Sequence, residues 1–257
     1  MPEPQMHREP MLNKVPSITL AFWIIKIMST TVGETGADYL AKNVGLGIAL
    51  TDGIMVSLLT VILVVQLLKR RYVPWVYWLT VVLVSVVGTQ ITDALTDGLE
   101  VSLYVSTTAF AVALAPTFAT WYASERTLSI HTIVTTRREL FYWAAILCTF
   151  ALGTAAGDLA TEALGLGFNL GVIVFSTMIA ALAAAYYLGA NPILVFWLTY
   201  ILTRPLGASL GDLLSQSREY GGLGFGTVST SAVFLSVIVV LVAWISLRPS
   251  AVEGHRA

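Results

Sequence analysis

One pattern recurs four times in this chain at fixed spacing. An aromatic residue stands before a tryptophan, a glycine follows ten residues after the tryptophan, and an aspartate five residues after that. The copies are Phe22-Trp23…Gly33…Asp38, Tyr77-Trp78…Gly88…Asp93, Tyr142-Trp143…Gly153…Asp158 and Phe196-Trp197…Gly207…Asp212. A period of this length marks one supersecondary unit used repeatedly, each copy burying what its neighbour exposes. Each copy opens an apolar stretch, and a second apolar stretch follows it. The eight stretches run over 17–40, 46–68, 74–95, 99–122, 140–160, 167–188, 193–214 and 225–247. Crossing a hydrocarbon core about 30 Å thick takes about 20 apolar residues as a helix. The expected fold is therefore all-α: a polytopic membrane protein with eight transmembrane helices, built as four two-helix repeats.

Composition supports this reading. Charged residues make up 11 % of the 257 positions, against about 25 % in a soluble domain. A soluble enzyme is excluded on that ground. A nucleic-acid partner is excluded too, because a net charge of −1 leaves no basic face. Cys148 is the one cysteine, so no intramolecular disulfide is possible, and His7, His131 and His255 fall in polar segments. There is no nucleophile–base arrangement, no His-rich metal motif and no G-x-S-x-G, so no enzymatic activity is expected. The N-terminus lacks a basic start leading into a short apolar core, so the first span is expected to stay in the mature protein.

Basic residues alternate along the chain. Lys69, Arg70 and Arg71 follow the second span, and Arg126, Arg137 and Arg138 follow the fourth. Arg8 and Lys14 precede the first, and Arg248 and Arg256 follow the last. The other connections carry Lys42, then Asp97 and Glu100, then Glu162, then Arg218 and Glu219. The positive-inside rule places both termini in the cytoplasm. Each unit crosses twice, so the copies are parallel hairpins (17–68, 74–122, 140–188 and 193–247) in one transmembrane domain, 1–257. The longest spacing, between Trp78 and Trp143, divides it into halves 1–125 and 138–257 around a pseudo-twofold or pseudo-fourfold axis along the membrane normal.

Four tandem two-helix units, each with a recurrent tryptophan, resemble a bacterial family of uncharacterised membrane-anchored proteins defined by a repeat of unknown function. The resemblance covers essentially the whole chain. It implies a multi-pass inner-membrane protein of eight helices and supplies no activity.

The repeated positions differ in what they can do. The aromatic pairs are expected in the cytoplasmic interfacial belt, where an indole N–H meets water or headgroups. The glycines each precede another small residue by four (Ala37, Thr92, Gly157, Gly211), the spacing of close helix contacts in lipid. Fifteen residues of helix put each aspartate about 22 Å from its tryptophan, in the outer third of the membrane. An ionisable group at that depth marks a functional site by default. The alternative is four equivalent turns in which each aspartate bonds backbone N–H groups.

The companions of the aspartates break the symmetry. One turn before them stand Glu34, Thr89, Thr154 and Ala208, then Thr35, Gln90, Ala155 and Ser209. Glu34 and Arg204 have little place in a purely structural repeat. The odd-numbered spans hold Glu34, Asp38, Asp93, Asp158 and Asp212 against Lys26 and Arg204. Protonation or a bound cation must balance that excess. Carboxylates with Thr35, Thr89 and Gln90 suit a hard divalent cation such as Mn²⁺, Mg²⁺ or Ca²⁺, held by Glu34, Asp38, Asp93, Asp158 and Asp212. Arg204 is expected to pair with Asp212, to serve as a tethered counter-ion or to clamp an anion. Asp52, Asn169, Thr227, Ser229 and Thr230 near the outer ends of the even-numbered spans are candidates to complete the cavity, and Pro116 and Pro205 predict kinks.

The leading expectation is a proton- or cation-coupled transporter moving a hard divalent cation or small ion. The competing readings are a carrier or channel for a small organic or anionic solute using Arg204, and a non-transporting scaffold. Partners are the lipid bilayer, a small ion or solute and, as an open possibility, further copies of the chain in a homo-oligomer.

Overall fold

The computed structural model describes residues 12–43 and 48–247, except the side chains of 37, 38, 40–43 and 48. Arg8, His7, the turn Gly45-Leu46-Gly47, Arg248, His255 and Arg256 lie outside the described residues, as do the side chains of Asp38 and Lys42. Among the described residues, eight long helices follow one another: α1 Leu20–Asn43, α2 Ile48–Leu68, α3 Pro74–Asp93, α4 Leu103–Glu125, α5 Thr136–Asp158, α6 Gly167–Tyr187, α7 Pro192–Ser215 and α8 Thr227–Leu247. No strand occurs among the described residues. Local chemistry sets the starts. Pro74 and Pro192 open α3 and α7, where a missing N–H costs nothing. Ser102, Thr135 and Asn191 cap α4, α5 and α7 through side-chain oxygens. Helices α4 and α7 continue through Pro116 and Pro205.

Among the described residues, seven helices are long and apolar enough to cross a membrane, so the chain is a multi-pass membrane protein. Helix α1 carries Lys26 and Glu34 within its sequence. Lys26 and Glu34 are buried inside the bundle rather than presented outward.

The odd-numbered helices form an inner ring in the order α1, α3, α5, α7, with α7 closing back on α1. The even-numbered helices form an outer layer whose exposed surface is apolar, as at Val56, Val61, Val112, Ile173, Val233 and Val240. A contiguous apolar shell of this kind is what lipid contact requires. The two helices of one repeat are not each other's main packing partners. Each even-numbered helix packs chiefly on the first helix of the next repeat: α2 on α3, α4 on α5, α6 on α7, and α8 on α1. This interlock closes the pseudo-fourfold ring.

The repeat glycines lie at the ring contacts. A Cβ at Gly33 would overlap Ser85, at Gly88 it would stand 2.8 Å from Phe150 Cβ, at Gly153 2.5 Å from Arg204 Cβ, and at Gly207 it would overlap Thr30. Ser85, Phe150, Arg204 and Thr30 occupy one repeat position, seven residues after each tryptophan. The same backbone approach therefore recurs between every pair of neighbours around the ring, as the small-residue spacing predicts. Threonines add interhelical bonds: Thr30 Oγ1 donates to Thr203 O (3.1 Å), Thr31 Oγ1 to Gly207 O (3.1 Å) and Thr92 Oγ1 to Ala151 O (3.2 Å).

The aromatic pairs correct the interfacial expectation. Phe22, Tyr77, Trp78, Tyr142, Trp143, Phe196 and Trp197 are buried in one cluster at the core of the ring. Phe22 meets Trp78 at 5.5 Å between centroids, Tyr77 meets Trp143 at 5.5 Å, and Tyr142 meets Trp197 at 6.2 Å. The ring closes through Trp23 and Phe196 at 5.7 Å. The Tyr77 and Tyr142 hydroxyls bond at 2.5 Å, and Trp197 Nε1 donates to Leu128 O at 3.0 Å. The burial of four large ring pairs, with their edge-to-face preference, outweighs what an interfacial N–H would gain. At the same end, the segment before α1 is clamped: Lys14 Nζ lies 2.5 Å from Glu139 Oε2, and Gln66 Nε2 donates to Glu139 Oε1 at 3.0 Å.

Candidate ion-binding cavity

At the opposite end of the ring, the turns between helices surround a cavity of about 720 Å³. Asp93 ends α3 and Asp158 ends α5, and each is followed by one π-helical turn, Ala94–Gly98 and Leu159–Ala163. These wider turns set the residues after the aspartates around the opening, and π turns commonly mark functional sites. Asp93, Asp158 and Asp212, equivalent in three repeats, all line the cavity together with Glu34 and Gln90. Asp158 lies within electrostatic reach of Glu34, Glu162, Asp93 and Asp212. Asp38 sits at the same repeat position in α1, with its side chain outside the described residues.

Four further acids line the cavity: Asp52, Asp97, Glu100 and Glu162. Among the described residues, none that lines the cavity is Lys, Arg or His. Acidity is graded by depth, from buried Glu34 through half-buried Asp93, Asp158 and Asp212 to exposed Asp97, Glu100 and Glu162. The sequence reading treated Asp97 and Glu162 only as connection charges. A signal was available, since both stand one helical turn after the repeat aspartate, where the fourth copy has Gln216 and the first Lys42. Glu100 is held at φ 54°, in the turn position where the third copy has Gly165 at φ 69°. That region favours glycine, so an acid stands at the rim against backbone preference.

Behind Glu34, outside the cavity lining, lies a buried guanidinium. Arg204 reaches from α7 to all three other inner helices. Its Nε donates to Thr154 Oγ1 at 2.9 Å, its Nη1 to Thr30 O at 2.7 Å, and its Nη2 to Glu34 Oε2 at 2.7 Å and to Thr89 Oγ1. Glu34, Thr89 and Thr154 share one repeat position, so a residue from one copy is grasped by the corresponding residues of the other three. Arg204 forms an ion pair with Glu34. Glu34 comes from the neighbouring inner helix at the arginine's own depth, whereas Asp212 lies two turns further along α7.

Below Arg204 lies Lys26, also buried. Its Nζ stands 3.9 Å from the Phe150 ring centroid and 4.2 Å from that of Tyr200, with no hydrogen-bond partner. Two ring faces take the place of a carboxylate around this ammonium. The aromatic cluster follows.

The other sequence candidates divide. Asp52 and Gln90 line the cavity. Thr89 belongs to the arginine cradle. Thr35 instead bonds Ser231 of α8 at 2.6 Å and Thr31 O at 3.0 Å, a helix contact away from the cavity. Asn169 and Ser229 are exposed, and Thr227, Ser229 and Thr230 are not among the lining residues. Among the described residues, no group of three His, Cys, Asp or Glu is disposed to hold a metal ion. The carboxylates share a cavity without closing on one point.

No curated protein and no solved structure shows significant similarity to the chain. A family model matches four successive segments, residues 21–72, 76–127, 141–190 and 195–249, in step with the four interlocked helix pairs. The chain belongs to the family described as Repeat of Unknown Function (DUF347).

Proposed function

We propose that this protein is a transporter for a small cation, driven by protons or by a second cation. The observation that carries the reading is the convergence of Asp93, Asp158, Asp212 and Glu34 on one cavity, whose described lining holds no base. Fixed negative charge between low-dielectric walls concentrates cations. Arg204 occupies the deep end as a tethered positive charge, and a cation reaching Glu34 competes with it. Past that point a cation meets Arg204, then Lys26, then packed aromatic rings. The buried guanidinium of Arg204 opposes free permeation of a cation. A carrier that must move Arg204 fits this better than an open pore.

All eight helices cross the membrane in this reading. Lys26 and Glu34 of α1 are buried inside the bundle, so lipid does not meet them. Lys69–Arg71, Arg126, Arg137 and Arg138 mark the aromatic end as cytoplasmic. The termini are then cytoplasmic, the membrane is the bacterial inner membrane, and the cavity faces outward. A hard divalent cargo would keep part of its water shell, because no three described acids enclose an ion. An anionic cargo is disfavoured: Arg204 is engaged by Glu34, Thr30, Thr89 and Thr154, and lies behind the acids.

Solid-supported-membrane electrometry on reconstituted protein tests this, with concentration jumps of inorganic and organic cations. Charge displacement by at least one cation is expected, with loss in folded Asp158→Asn/Asp212→Asn. Silence towards every cation in monodisperse wild type would overturn the reading.

A further inference from the structure

We propose that the cargo of this cavity is a linear organic cation with two or more spaced ammonium groups, an oligoamine rather than a bare metal ion. The proposal rests on the cation-transport reading above and names its substrate class. The first observation is the spread of the acids. Glu34 is buried at the floor, Asp158 and Asp212 stand half-buried above it, and Asp97 and Glu162 are exposed at the rim. A dehydrated divalent ion needs about six oxygens within about 2.0–2.6 Å of one point. Among the described residues no three acids meet that demand. Charge distributed along a chain matches carboxylates distributed in depth.

The second observation is independent of the acids. Gln90 is 8 % exposed and lines the cavity, and its Oε1 is buried without a hydrogen-bond partner. A buried carbonyl left unmet is costly, and a ligand that donates removes the cost. An ammonium carries three N–H donors, so it can satisfy Gln90 Oε1 and a neighbouring carboxylate together. A second ammonium further along the same molecule then meets the rim. The volume of about 720 Å³ falls within the range of about 300–1,000 Å³ seen for small-molecule sites. Phe168 is the one aromatic lining residue. That is a poor match for quaternary ammonium, which is held by aromatic cages, and it selects amines able to donate hydrogen bonds.

The test uses the full chain in lipid nanodiscs, with thermal unfolding and calorimetric titration at constant ionic strength. The probes are spermidine, putrescine, tetramethylammonium, Mg²⁺, Ca²⁺ and Mn²⁺. Spermidine is expected to bind more tightly than putrescine, and both more tightly than tetramethylammonium or the metals. Gln90→Leu is expected to weaken spermidine about tenfold, the loss of one charge-assisted hydrogen bond, and Gln90→Glu to tighten it. Asp97→Asn/Glu162→Gln, at exposed positions that do not endanger folding, is expected to weaken spermidine more than putrescine. Stronger binding of a divalent metal than of either amine overturns the substrate class and leaves cation transport standing. Amine binding indifferent to Gln90→Leu and to the rim variant overturns it as well. Failure of amines and metals alike on folded protein overturns the cation reading and this proposal together.

Discussion

The two ends of the inner ring are built from the same repeat and follow opposite rules. At the aromatic end all four copies carry the same residue types, and the structure treats them alike: ring against ring, glycine against the next helix. At the acidic end the copies diverge. Position eleven after the tryptophan reads Glu34, Thr89, Thr154 and Ala208, and position seven reads Thr30, Ser85, Phe150 and Arg204. These divergent residues assemble one asymmetric centre on a symmetric frame, with Arg204 held by the other three copies. Repetition sets how the helices approach, and departures from repetition set what the cavity can do. The aspartates belong to both descriptions, being repeated in sequence and, for Asp93, Asp158 and Asp212, gathered on one cavity.

Substitutions at the two ends test this contrast. The largest effect is expected at Arg204. Arg204→Met leaves Glu34 buried without its charge partner, a loss of about 3–5 kcal/mol. Thermal unfolding in detergent should show the steepest fall for this variant, with partial recovery in Arg204→Met/Glu34→Gln. Next come the glycines of the symmetric frame. Gly33→Ala forces a Cβ into Ser85, an overpacking cost of about 1–3 kcal/mol. Ser85→Gly should restore most of it in the double variant. Gly98→Ala, with nothing within 4 Å of the added carbon, should leave the melting temperature unchanged.

Smaller effects sharpen the picture. Tyr77→Phe removes the hydroxyl bond to Tyr142 within the aromatic cluster and should cost about 1 kcal/mol in the same assay. The smallest stability change is expected at the rim. Asp97→Asn is exposed and should stay within about 0.5 kcal/mol of wild type. Its signature is kinetic: cation association should slow at low ionic strength and match wild type at high salt, where the field is screened.

Much of the fold was legible because apolar runs, proline starts and glycine spacing report local backbone requirements. The eight helices fall close to the expected spans. Helix α5 begins earlier, at Thr136, because Thr135 caps it and buried Glu139 is paired with Lys14. Partner choice was not legible. Nothing in a local pattern says that α2 leaves α1 to pack on α3, since either neighbour buries the same apolar face. The aromatic pairs misled for a related reason: tryptophan suits an interface and a core equally well, and only ring closure puts Trp78 and Trp143 inside. The site was half legible. Glu34 and Arg204 were visible as charges out of place, but their pairing depends on the cyclic order of helices. Asp97 and Glu162 were overlooked because turn acids are ordinary until π-helical turns set them around an opening.

The central claim is that the repeat aspartates share one water-accessible, negatively charged cavity. The most direct measurement introduces single cysteines at Asp93, Asp158 and Asp212, one at a time, in a Cys148→Ser background. Reaction rates with cationic and anionic methanethiosulfonates are then compared from each side of the membrane. The account predicts labelling of all three from the same side, faster with the cationic reagent and with the preference reduced by salt. Labelling from opposite sides, or at equal rates with both reagents, would contradict it.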